Sequence, residues 1–142
     1  MQHRLDGTES KERRRKVLTF IHASEGTIML HALAILYLRA SATEEVKRSG
    51  SLKEMEGVLA RNVVRDLDWL EGGLKAAGTG GYLAGEFSAA DTMMVFGILF
   101  IFKRDLTVGR TLEEWPGLKS WVERCTEREA WKRAVEKTGF VL

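Results

Sequence analysis

The stretch Tyr82-Leu83-Ala84-Gly85-Glu86-Phe87-Ser88-Ala89-Ala90-Asp91 decides the reading of this chain. Ser88 has the chemistry of a helix N-cap, and Asp91 stands three positions on, where its carboxylate reaches back to the cap's own N–H. From Ala89 to Phe102 only Asp91 and Thr92 are clearly polar. A helix apolar all round, yet too short to span a bilayer, belongs in the middle of a bundle. Its first N–H groups are then out of reach of water, so side chains must satisfy them.

Upstream, two long helices are expected. In Ser10–Ala42 the residues Val17, Ile21, Ser24, Ile28, His31 and Ile35 recur at spacings of three and four, one face of a helix. Gly26 interrupts that face and permits a bend or a close backbone approach. Ser41–Ser51 is polar and reads as a surface connection. In Leu52–Ala77 the residues Leu52, Met55, Leu59, Val63, Leu67, Leu70 and Leu74 form a second amphipathic face. Gly78-Thr79-Gly80-Gly81 ends it as a C-cap and turn. No Lys-Ser or Lys-Thr follows, so that run is not a phosphate-binding loop.

Downstream, Pro116 suits the first turn of a short helix carrying Leu118, Trp121, Val122 and Cys125. Thr126-Glu127-Arg128-Glu129 has capping-box spacing and is expected to open a last helix with Trp131, Ala134 and Val135, closed by Gly139. With one proline and no sustained alternation of apolar and polar residues, no strand is expected. The chain reads as all-α, one domain over residues 1–142, with residues 1–15 charged and fraying.

Composition limits the function classes. The chain is 44% hydrophobic and 30% charged with formal net charge +2, a globular balance that gives no reason to expect nucleic acid. Lys11-Glu12-Arg13-Arg14-Arg15-Lys16 reads as the solvated opening turn of a helix, ahead of a nuclear signal or an anion-binding patch. No uninterrupted run of eighteen apolar residues occurs, so no membrane span is expected. Cys125 is the single cysteine, which excludes an intrachain disulfide and fits a reducing compartment. A cytoplasmic location follows as the expectation. His3, His22 and His31 lack metal-ligand spacing, so no metal site is expected. Cys125 beside Trp121 reads as inert packing.

The Tyr82–Asp91 segment resembles the signature of the glutathione S-transferase C-terminal domain, in which an apolar-Gly loop leads into a buried helix opened by Ser/Thr-x-x-Asp. Trp115-Pro116-Gly117-Leu118, Trp121 and Arg128-Glu129-Ala130-Trp131-Lys132-Arg133-Ala134 are similar to that family's final two helices. Phe20-Ile21-His22-Ala23-Ser24-Glu25-Gly26-Thr27 resembles its first C-domain helix, in the fungal-type branch. Thr92 departs from the pattern, which usually has an apolar residue against Phe87.

The resemblance implies a bundle of five to six helices. In that family a thioredoxin-like first domain binds glutathione; no βαβ pattern precedes Ser10, so this chain is expected to lack it. Glu25 is then expected to reach the amino end of glutathione across a dimer, set against a solvated Glu at a helix bend. His31 and Ile35 are expected to line the hydrophobic-substrate pocket, set against ordinary core positions. Ser88 and Asp91 are assigned to folding. The function implied is that of a partial transferase, supplying the side that takes a small hydrophobic electrophile and forming homodimer contacts. Glutathione would be a cosubstrate only once a thioredoxin-like domain completes the site. The alternative is a stand-alone protein–protein interaction module of the same fold. No catalytic residue is visible.

Overall fold

The computed structural model describes residues 5–78 and 81–139. His3, Thr79, Gly80 and Phe140 lie outside the described residues. The chain runs through α1 (Lys11–Ala23), a π-helical segment (Ser24–Met29), α2 (Leu30–Ser41), α3 (Glu44–Ser49), α4 (Ser51–Ala76), α5 (Ala89–Lys103), α6 (Pro116–Thr126) and α7 (Glu129–Thr138). Lys11–Ser41 is one continuous helix, so the described residues hold six helices. They hold no strand, only the isolated bridges Tyr82–Gly85 and Ala84–Glu86, and therefore no thioredoxin-like sheet.

Local chemistry sets the helix ends. Ser10 caps α1, its hydroxyl accepting from the Arg13 N–H at 3.0 Å. Of the segment before it, expected to fray, the described part makes one backbone anchor: the Leu5 carbonyl accepts from the Ala89 N–H at 3.0 Å. Around Gly26 the helix widens to a π segment, and Ser24 Oγ donates to the Ile21 carbonyl at 2.7 Å. A Cβ at Gly26 would meet nothing within 4 Å, so this glycine relaxes the backbone and permits no close approach.

The polar connection Ser41–Ser51 contains a helix instead of a plain loop. Thr43 accepts from the Val46 N–H, Glu44 and Glu45 lie in the first turn, Lys47 and Arg48 in the last, and Gly50 stops it at φ 82°. Thr126-Glu127-Arg128-Glu129 is not a capping box. Thr126 is the last residue of α6, its hydroxyl donating back to the Val122 carbonyl at 3.0 Å, and α7 starts without a side-chain cap.

The core joins Val17, Ile28 and Ile35 to Val63, Leu67, Leu70, Ile98, Leu118 and Trp121. Two expected faces are corrected. On α4 the buried arc contains Ala60, Asp66 and Glu71, while Met55 is exposed. On α5 the outer side is not buried: Met93 and Phe96 are 38% and 42% exposed, and Phe96 stacks on Phe100.

Lys11–Ser41 also corrects the membrane argument. Its 31 residues reach a mean hydropathy of 1.3 over eighteen positions, so by length and composition it is able to cross a bilayer. The helix nevertheless carries Glu25 near its middle and sends Val17, Ile28, Ala32 and Ile35 into the core, as a bundle helix does.

Candidate functional site

The loop before α5 converges on one carboxylate. Asp91, fully buried, accepts four hydrogen bonds. Oδ2 takes the Ser88 N–H and the Ser88 hydroxyl, each at 2.9 Å. Oδ1 takes the Leu83 N–H at 3.0 Å and the Trp121 indole N–H at 2.8 Å. The Ser-x-x-Asp spacing identifies Ser88 as a partner. Leu83 and Trp121 come from eight residues upstream and from another helix, and no local pattern names them.

An apolar groove opens between α5 and α7. It consists of two adjoining hollows of about 430 and 370 Å³ that share Thr92, Trp131 and Ala134. Phe87 and Val95 wall the first and Phe96 the second. Arg128 lies over the Phe87 ring, its guanidinium carbon 3.5 Å from the centroid, in a cation–π contact. Thr92 Oγ1 donates to the Ser88 carbonyl at 3.4 Å, so the hydroxyl that departs from the family pattern serves the helix start. None of the residues of α7 is buried.

Cys125 lines the first hollow. Burial pushes its thiol up to about 12, with the charge of Asp91 adding to the rise and Arg124 and Arg128 opposing it. A thiol held protonated is no nucleophile at neutral pH. Among the described residues no cluster of His, Cys, Asp and Glu suited to a metal ion occurs.

The sequence-derived candidates do not converge on this groove. Glu25 is exposed on the π segment. His31 sits half-buried at the seam of α2 and α4, its Nδ1 2.6 Å from Asp66 Oδ2. Ile35 is fully buried in the core and lines neither hollow. Asp66 and Glu71 were missed by the sequence reading. The available signal was an acid on the apolar arc of α4, beside Val63, Leu67, Leu70 and Leu74, where ionisable residues are rare unless paired. Glu71 receives the N–H groups of Gly117 at 3.0 Å and Leu118 at 2.7 Å, capping α6 from a distance of 46 residues in sequence.

Comparison with known proteins agrees with the bundle. Residues 38–124 match the family described as "Glutathione S-transferase, C-terminal domain". The match starts in α2 and ends in α6, leaving Phe20–Thr27 and α7 outside it. It specifies the domain and no branch of the family. A search of curated proteins returned no match. With more than half of its length matched and with the buried Ser88–Asp91 helix start in place, this chain belongs to the glutathione S-transferase C-terminal domain family.

Proposed function

We propose that this chain is the helical half of a cytoplasmic glutathione transferase-type assembly. The groove between α5 and α7 takes a small hydrophobic electrophile, and a thioredoxin-like domain on a separate or adjoining segment supplies glutathione and its thiolate. The observation that carries the reading is this groove, walled by Phe87, Val95, Phe96 and Trp131, in a member of that domain family. Apolar hollows with few polar groups are the usual receptors of small organic molecules. The exposed Met93 and Phe96 on α5 extend the apolar surface outward, where a second domain has area to cover.

Within this reading Glu25 anchors the ammonium of glutathione. It is exposed and pairs with no cation among the described residues, which leaves its carboxylate free for a charge-assisted hydrogen bond. His31 offers the exposed part of its ring beside the α2–α4 seam, and Ile35 contributes only as packing beneath it. The outward side of α2 carries Leu30 and Tyr37, 60% and 67% exposed, and supplies the homodimer contact.

The test is thiol conjugation to an aryl halide. The chain alone is expected to give the uncatalysed rate, because in this reading the thioredoxin-like domain binds glutathione and holds its thiolate. Addition of a separately expressed thioredoxin-like transferase domain is expected to raise the rate, and Phe96→Asp and Glu25→Ala to lower it again. Activity of the chain alone, or none in the mixture, counts against the proposal. A partner protein retained through α2, with no conjugation in any mixture, favours the interaction module.

A further inference from the structure

A second cleft, of about 420 Å³, lies between α4 and the loop that follows α5, and shares no residue with the apolar groove. Its charge is one-sided. Arg61 and Arg65 stand one turn apart on α4, exposed to solvent, and pair with no carboxylate among the described residues. Arg110 adds a third guanidinium. Its Nε donates to Glu114 at 2.9 Å and its head lies 5.1 Å from the Trp115 ring centroid, which fixes its position. Between the cations the lining is apolar, with Ala60, Val64 and Val108.

The loop wall is strained and held. Val108 has φ 56°, a left-handed conformation that β-branched residues rarely adopt. Asp105, also left-handed at φ 48°, accepts from the Gly109 N–H at 2.6 Å, and Thr107 Oγ1 donates to the Arg110 carbonyl at 2.8 Å. From the other side Arg39 donates to the carbonyls of Arg104 at 2.7 Å and Asp105 at 3.0 Å, while its guanidinium is gripped by both oxygens of Glu56. Strain kept in place by so many partners concentrates at binding sites. Here it shapes the wall opposite two unneutralised arginines.

We infer that this cleft binds a small organic anion: an oxyanion headgroup carried on a short apolar body. Arginine forks match phosphate and carboxylate oxygens in pairs. Glu114 pairs with Arg110 and the Asp105 carboxylate is held at the Gly109 N–H outside the lining, so the unpaired guanidinium groups of Arg61 and Arg65 are the ones left to grip a phosphate monoester. The apolar lining receives the attached carbon chain.

The experiment is an amide NMR titration of the whole chain with hexyl phosphate, inorganic phosphate and hexanoate at constant ionic strength, with sodium chloride as reference. Shifts are expected at Gly57, Arg61, Arg65 and residues 107–110. Hexyl phosphate is expected to bind at least about tenfold tighter than inorganic phosphate, since its methylenes leave water. The exposed pair R61Q/R65Q is expected to weaken binding about tenfold or more. R15Q/K16Q, at a separate cleft against α1, is expected to leave it unchanged. Hexanoate binding tighter than hexyl phosphate would keep the site and assign a carboxylate headgroup. Shifts no larger than those of chloride, shifts centred on the α5–α7 groove, or wild-type affinity in R61Q/R65Q would overturn the inference.

Discussion

The indole N–H of Trp121 donates to Oδ1 of Asp91 across 2.8 Å, and both side chains have no exposed surface. The bond ties α6 to the first turn of α5. It also turns a helix cap, ordinarily a local device, into a joint between the loop at Leu83, the start of α5 and the middle of α6.

Asp91→Ala is expected to cost about 3 kcal/mol or more, beyond the ~1 kcal/mol typical of a cap, because three buried N–H groups lose their acceptor. Trp121→Phe keeps one aromatic ring but removes the indole donor and leaves a cavity at a fully buried position, at about 2–4 kcal/mol. The double mutant should lose less than the sum, since the two residues share a bond. Equilibrium denaturation in urea checks all three; an unchanged midpoint for Asp91→Ala contradicts the placement of α5.

Glu71 makes α6 depend on α4. Glu71→Ala is expected to destabilise by about 1–3 kcal/mol, leaving the Gly117 and Leu118 N–H groups without their acceptor. A Cβ at Gly117 would stand 3.0 Å from both carboxylate oxygens, so Gly117→Ala should displace them. The ~1 kcal/mol gain in helix propensity does not offset two charge-assisted hydrogen bonds. In a Glu71→Ala background the same Gly117→Ala change should become neutral or stabilising. Four thermal melts decide it.

Cys125 should resist alkylation by iodoacetamide at pH 8 in the native state and react once the chain is unfolded in guanidinium. The folded thiol holds its proton up to about 12, against an ordinary value of 9.0. Its contribution to stability is therefore complete below about pH 9 and is lost as pH rises towards 12. Alkylation as fast as that of a free thiol would show that the first hollow admits reagent and that the thiol is not buried.

Leu30→Glu combined with Tyr37→Glu should abolish self-association with a change in monomer stability of about 0.5 kcal/mol or less, because both side chains face outward. Sedimentation equilibrium of wild type and variant reads the outcome. The same molecular mass for both would remove α2 as the contact.

The helices were legible because their signals are local. Apolar spacing in Leu52–Ala77, the Ser88–Asp91 pair and Pro116 in the first turn of α6 each act within one or two turns of chain, and the corresponding helices start and stop close to those marks. The short helix at Glu44–Ser49 was equally local, yet with no buried residue it offered no apolar face to notice. Thr126–Glu129 had the letters of a cap, but α6 ran through Thr126 and used its hydroxyl within its own last turn.

Residue types and periodicity thus determined a bundle of helices and the pairing of Ser88 with Asp91, since helix formation and capping depend on neighbours in sequence. Which face of α5 stays open, which acids reach His31 and the start of α6, and that Arg61, Arg65 and Arg110 line one cleft depended on packing. The pairs His31–Asp66, Glu71–Gly117 and Arg61–Arg110 stand 35 to 49 positions apart, where side-chain distance is set by how helices cross and not by the chain between them.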